Sequence, residues 1–414
     1  MMSNSSYTNI LSDNRHVFFY IANIYLVVFN VHSFFLEPSH ISPIKVGLAA
    51  MSPIFFVLCG RVISKAFVWG ILYWLACLFP ALLLGNLRFS TIGYLGLFIA
   101  SFIIFYTALY QGAYTLTAFL KVIRGLIVAY AICLLLQQVF WIIGIHHFPP
   151  INLIGGTWMK LEKLPSLSME PSHTAVILSF AYLCYLRCLE LKNERKPGIK
   201  QLFAGEEKWI NIGFIWVMTT MGSGTAFLGL GVLSLYFINR KNLFYTLPFV
   251  VLLFVIAQNS EIKQLSRTTK IVKATMTGNS SKIAETDISG ATRIVPLLNT
   301  FRMDFKQMNT WIGHGTLAKK NRFTNAWKNL GAHDDFVLGV VYQYGWIAFL
   351  IAIGLMFQCC IYRLLSLETL LWLTLGMATL SNVYTCWGTV MMMAGVRYFQ
   401  EQKKNESLNN HSEL

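Results

Sequence analysis

The sequence predicts an all-α polytopic membrane protein, a single integral membrane domain over residues 1–414 with about twelve transmembrane helices and a large extracytoplasmic loop at 259–335. Three observations predict it. Hydrophobic residues make up 55% of the chain and charged residues only 12%, with a mean hydropathy of +0.55, which is too apolar for one soluble domain of 414 residues. Apolar runs of roughly 15 to 24 residues recur along nearly the whole length, and about 20 residues are needed to cross the hydrocarbon. The runs are continuous and do not alternate with polar residues, which selects helices over barrel strands.

The first run, from about Val17 to Leu36, follows Arg15 and has no small-residue cleavage site behind it. It therefore reads as a retained span and not as a removable signal peptide. Further spans are expected at roughly 45 to 60, 66 to 85, 91 to 112, 123 to 145, 173 to 190, 209 to 222, 224 to 239, 243 to 258, 336 to 360, 367 to 382 and 384 to 398. Two of the intervening turns, near Ser223 and near Asn382, are very short.

The eight cysteines lie inside or at the edge of apolar runs, and none falls in the long polar loop. That placement argues against structural disulfides and against a thiolate metal site, and no CxxC occurs. No metal or cofactor is expected. The formal charge of +15 does not point to nucleic acid, because excess Lys and Arg in a membrane protein usually flank helices on the cytoplasmic side.

That rule sets the orientation. Arg61 and Lys65, Lys121 and Arg124, the run Lys192 to Lys208, Arg240 and Lys241, Arg363, and Lys403 and Lys404 fall on alternate connections, so these and both termini are expected in the cytoplasm. The opposite face receives the segments 146–172 and 259–335. In the larger one Ile294, Leu297, Leu298, Phe301, Phe305 and Met308 recur at helical spacing among Arg293, Arg302, Asp304 and Lys306, with Pro296 in the first turn, which predicts an interfacial amphipathic helix.

Three helices entering from that face begin with polar groups: Met169-Glu170-Pro171-Ser172-His173, Gly222-Ser223-Gly224-Thr225 and His333-Asp334-Asp335. A helix N-terminus carries unpaired N–H groups and about half a positive charge, so several facing one vestibule favour an anion such as a diphosphate. Arg293 and Arg302 can add fixed charge. Each motif alone also has a structural explanation: Asp334, Asp335 and Ser223 suit N-caps, Pro171 suits a first turn, and Glu170 gains from the dipole. Gly313-His314-Gly315 reads as a turn. Charges in mid-span are scarce, which weighs against an ion-coupled pump.

In this order the motifs resemble those of the bacterial O-antigen and exopolysaccharide polymerases, whose superfamily also contains the O-antigen ligases. The resemblance rests on Glu170-Pro171-Ser172, Ser223-Gly224-Thr225, Thr292-Arg293-Ile294-Val295, Trp311-Ile312-Gly313-His314-Gly315, His333-Asp334-Asp335-Phe336 and Tyr344-Gly345-Trp346. It implies a GT-C-like glycosyltransferase of the bacterial cytoplasmic (inner) membrane. Such an enzyme moves a growing glycan from undecaprenyl diphosphate to a lipid-linked repeat unit of lipopolysaccharide or another surface polysaccharide. Asp334, Asp335, Glu170 and His333 are then the catalytic candidates, and Arg293, Arg302, Ser223 and Thr225 the diphosphate-binding ones. Implied partners are the undecaprenyl-diphosphate-linked oligosaccharide, membrane lipid, a chain-length regulator and a flippase. The alternatives are a ligase delivering finished glycan, which His333-Asp334 disfavours because many superfamily members have His-Asn there, and a transporter or flippase for lipid-linked sugar.

Overall fold

The computed structural model describes residues 15–31, 43–59, 62–145, 161–168, 170–238, 273–274, 283, 295–316, 337–377 and 384–412. Among these the secondary structure is helical and contains no strand. In chain order the helices are α1 (Arg15–Asn30), α2 (Pro43–Ala50), α3 (Ser52–Leu58), α4 (Lys65–Leu83), α5 (Phe89–Tyr110), α6 (Leu116–Ile142), α7 (Pro171–Asn193), α8 (Ile199–Leu202), α9 (Glu207–Thr220), α10 (Gly224–Ser234), α11 (Met308–Ile312), α12 (Gly339–Cys359), α13 (Leu367–Leu371) and α14 (Tyr384–Ser412). Five of them, α4, α5, α6, α7 and α12, are long and apolar enough to cross a membrane, with α1, α10 and the segment from Leu367 to Gly376 shorter but apolar. The chain is thus a plausible polytopic membrane protein.

The helices approach closely where small residues allow it. Gly70 of α4 lies under Ile99 and Ile103 of α5, Gly354 of α12 lies against Trp69 of α4, and Gly229 of α10 lies against Ser179 of α7. Around these contacts an apolar core includes Phe102, Tyr130, Tyr185, Phe349 and Trp387. Aromatic stacking adds to it: the Tyr182 and Phe214 rings lie 3.8 Å apart at 4°, joining α7 to α9. All eight cysteines are buried thiols outside any disulfide.

The bundle has two distinct ends. At one, Lys65 opens α4, Lys121 lies in the second turn of α6, Lys192 in the last turn of α7 and Lys208 in the first turn of α9, while Arg363 lies between α12 and α13 and Lys403 in the C-terminal half of α14. Ion pairs tie these connections together: Arg124 to Glu207, Arg187 to Glu368 at 2.6 Å and to Glu190 at 2.7 Å, Arg397 to Glu401 at 2.8 Å, and Lys403 to Glu194 at 3.0 Å. Gln111 donates to the Cys59 carbonyl, and Arg397 to those of Phe357 and Ile361. Every connection assigned to one side by its charge, among the described residues, therefore meets at this basic end. The N-termini of α5, α7, α10 and α12 lie at the opposite end.

Several expectations need correction. The span expected at 45 to 60 is two short helices, α2 and α3, broken at Met51, because Pro53 sits at the start of α3 and cannot donate to the preceding turn. Of the span expected at 367 to 382, the described part is α13 followed by a π-helical turn, Trp372–Gly376, and residues 378–382 lie outside the described residues. The amphipathic helix expected from Ile294 to Met308 is not continuous: residues 295–300 are helical, the chain turns at Phe301–Met303, and helix resumes at Met308. Asp304 causes part of the break. Its carboxylate accepts from Lys306 N at 3.0 Å and Gln307 Nε2 at 3.4 Å, a side-chain turn that competes with the helical ladder. The span expected at 243 to 258 lies outside the described residues.

Candidate functional site

Glu170 is the N-cap of α7, with extended backbone (φ −139°, ψ 146°) and Pro171 behind it in the first turn. The Glu170 side chain makes no capping bond. It is exposed, and among the described residues its Oε2 accepts from Ser172 Oγ in its own turn, at 3.1 Å. Thr174, one turn on, is buried and donates to the Pro165 carbonyl.

Ser223 is the N-cap of α10, but its hydroxyl does not cap, so the N-cap role expected from sequence holds for position and not for bonding. Gly222 before it takes φ +66°, which lets α9 reverse into α10 within a very short turn. Thr225 is only 4% exposed, and its Oγ1 has no hydrogen-bond partner among the described residues. A buried hydroxyl left unpaired costs about 1–3 kcal/mol, which makes this atom the most informative in the region. Gly229 lies on Ser179 and, further along both segments, Tyr236 donates to Glu190 at 3.2 Å, so α7 and α10 run parallel with their N-termini at the same end.

Arg302 is exposed in the turn that follows residues 295–300. That turn is fixed to α12 by aromatic contacts of Phe301 and Phe305 with Trp346, at 5.7 and 5.3 Å between ring centroids. Thr300 donates to the Pro296 carbonyl at 2.7 Å and accepts from Leu338 N at 2.8 Å, just ahead of α12. Arg293, His333, Asp334 and Asp335 lie outside the described residues.

Gly313-His314-Gly315 is more than a turn. Gly313 (φ +76°) ends α11 against Gly345, which itself departs from helical geometry inside α12 (φ +76°, ψ 178°). His314 N and Gly315 N donate to the Tyr342 and Gln343 carbonyls at 2.9 Å each, and the His314 ring stacks on Tyr342 at 4.6 Å. Thr316 N then donates to the Asn86 carbonyl at 2.9 Å. This is a backbone clasp between the loop, the kinked α12 and the start of α5. A Cβ on Gly313 would fall 2.5 Å from the Gln343 carbonyl oxygen, and one on Gly345 would overlap the Trp311 carbonyl, so only glycine fits either place.

A second feature had no clear sequence signal. Leu164, Ser166 and Ser168, in a segment expected wholly outside the membrane, are buried against α6. Gln137 and Ser166 exchange two bonds, Nε2 to O at 3.1 Å and N to Oε1 at 2.9 Å, while Ser166 Oγ donates to the Tyr130 carbonyl at 2.6 Å. Tyr130 in turn donates to the Asn30 carbonyl at 2.6 Å. Irregular backbone is stable at such a place only when its polar groups are satisfied internally, and these side chains do that. The one hint was a glutamine inside an apolar run.

Among the described residues no group of three or more His, Cys, Asp or Glu can hold a metal ion. Compared with protein-family models, with curated proteins and with solved structures, the chain matches none.

Proposed function

We propose that the chain is a polysaccharide polymerase that transfers a growing glycan from undecaprenyl diphosphate to a lipid-linked repeat unit at the outer face of the bacterial cytoplasmic membrane. In this reading it crosses the membrane about twelve times, and the basic end and both termini face the cytoplasm. The observation that carries it is the buried, unpartnered Thr225 hydroxyl in the first turn of α10, beside the parallel N-terminus of α7. The motif resemblance supports the same assignment.

The chemistry follows from the location. Nucleotide sugars are absent outside the cytoplasm, so the donor must bring its own leaving group. The acceptor hydroxyl oxygen forms a bond to the donor's anomeric carbon, the bond from that carbon to the diphosphate oxygen breaks, and the diphosphate leaves with the electron pair. A base takes the acceptor proton, and Glu170, His333, Asp334 and Asp335 are the candidates. Arg293, Arg302, Ser223 and Thr225, with the N–H groups of α10, are suited to the developing diphosphate charge.

The test uses purified, reconstituted protein and lipid-linked repeat unit. Thr225→Val keeps the shape and removes the unpaired hydroxyl. If the hydroxyl served packing alone, the variant would be as active as wild type and as stable or more so. If it binds the donor, thermal stability holds or rises while transfer falls. Arg293→Lys should cut turnover roughly a hundredfold, because an ammonium cannot hold two phosphate oxygens as a guanidinium does. Full activity of both variants would remove these residues from the site. Deletion of the gene separates the enzymatic readings: a single-repeat surface glycan follows from lost polymerisation, and lipid-linked polymer accumulates when ligation is lost. Transport of the lipid-linked unit without glycan extension would identify a flippase instead.

A further inference from the structure

The segment between α7 and α9 has two buried anchors and an outward apolar surface. Pro197 and Leu202 are buried, and Asn211 of α9 donates to the Leu202 carbonyl at 2.8 Å, so the short α8 is held against the start of α9. Held in that way, it turns its other apolar side chains outward. Ile199 is 62% exposed, Phe203 42% and Trp209 70%.

Cations stand among these apolar groups. Lys200 is exposed beside Ile199, and Lys208 Nζ lies 5.5 Å from the centroid of the Trp209 ring. Lys196 Nζ lies 5.4 Å from the ring of Tyr236, at the same end. The neighbouring acids are largely engaged elsewhere: Glu207 binds Arg124 and Tyr185, and Glu194 binds Lys403, leaving Glu206 as the exposed opposing charge. An exposed tryptophan, two further apolar side chains and three lysines at the end of membrane-length helices match one partner, the headgroup and upper acyl region of an anionic phospholipid. The rings and Ile199 enter the interface, and the ammonium groups meet the phosphate.

We propose that residues 196–209 form a binding site for an anionic phospholipid on the basic end of the bundle, with Lys196, Lys200 and Lys208 holding the headgroup and Phe203 and Trp209 the acyl region. The site is independent of the glycan chemistry proposed for the opposite end.

The experiment titrates the full chain in detergent with phosphatidylglycerol or phosphatidylcholine and counts bound lipids by native mass spectrometry. Wild type should hold phosphatidylglycerol in preference to phosphatidylcholine. Lys196→Gln, Lys200→Gln and Lys208→Gln together should weaken that binding, by about fivefold for each charge removed, and leave phosphatidylcholine unchanged. A second measurement does not depend on those variants: brominated phosphatidylglycerol should quench a fluorescence component that Trp209→Phe abolishes, and brominated phosphatidylcholine should quench it less. Equal phosphatidylglycerol binding by wild type and triple variant, or equal quenching by the two brominated lipids, would overturn the proposal. So would displacement of the lipid by millimolar inorganic phosphate, which would mark a free-anion site.

Discussion

The two ends of the bundle finish their helices by different means. At the basic end α4, α6 and α13 start at Ser64, Thr115 and Ser366, and each hydroxyl accepts from the backbone N–H of the first turn. At the opposite end α5, α7, α10 and α12 start at Arg88, Glu170, Ser223 and Leu338, and none of these side chains caps its helix. The exceptions at the basic end are the short α8, whose N-cap is Gly198, and α9, which has no side-chain cap but carries Glu207 in its first turn, where a negative charge suits the dipole. Charges follow the same division. Among the described residues, ion pairs gather at the basic end, whereas hydroxyls, amides and backbone join the opposite end. One end is electrostatically closed, and the other leaves helix N-termini without side-chain caps and the buried Thr225 hydroxyl without a partner among the described residues.

The comparison can be broken most severely at the backbone clasp. Gly345→Val puts a β-branched side chain at φ +76° and into the Trp311 carbonyl. The strain and overpacking together amount to roughly 4 kcal/mol or more. The expected outcome is loss of monodisperse protein in detergent, with Ala at the same position less severe. A well-behaved Val variant would show that the clasp is dispensable.

A smaller effect is expected from the charged lock. Glu368 accepts from Arg187 Nε and Nη2 at 2.6 and 3.2 Å, and both side chains are mostly buried. Glu368→Gln leaves a partly buried guanidinium with a weaker partner, costing about 2 kcal/mol in thermal unfolding. Activity measured below the new midpoint should stay near wild type, because the change lies at the end away from the candidate site.

The smallest effect is on pH dependence. Burial tends to raise the Glu401 carboxyl, but the hydroxyl of Tyr110 and the guanidinium of Arg397 outweigh it and hold the group below its ordinary value of 4.5. A depressed carboxylate stabilises the fold above its unfolded value, and that stabilisation is lost as pH falls through the folded value. Wild type should therefore lose thermal stability as pH drops below about 4.5, and Glu401→Gln should lose less over the same interval. Identical profiles would remove Glu401 from the lock.

How far this division was legible depends on what makes each end. Spans such as Phe89–Tyr110 follow from apolar length alone, and the grouping of Lys65, Lys121, Lys192 and Lys403 follows from alternation of charge, so the basic end could be read along the chain. Sequence also found Glu170, Ser223 and Thr225 as helix starts. It could not show that Ser223 leaves its helix uncapped or that Thr225 is buried without a partner, since both depend on neighbours. Nor did it reveal the break at Phe301, where the Asp304 carboxylate accepts from Lys306 N, or the departure of Gly345 from the helix, because an apolar run has the same composition whether its helix is straight or kinked. The buried bonds of Ser166 were hidden for a related reason: a serine in a loop and a serine plugging a bundle look alike until Gln137 faces it.

The clasp has a consequence for the chain's tolerance of length. Thr316 N is pinned to the Asn86 carbonyl, while His314 N and Gly315 N are pinned to those of Tyr342 and Gln343. One residue inserted between Gly313 and Thr316 would separate the contacts with Tyr342 and Gln343 from those with Asn86, so that neither set could form while the other held. An insertion there should therefore be forbidden even though it removes no side chain.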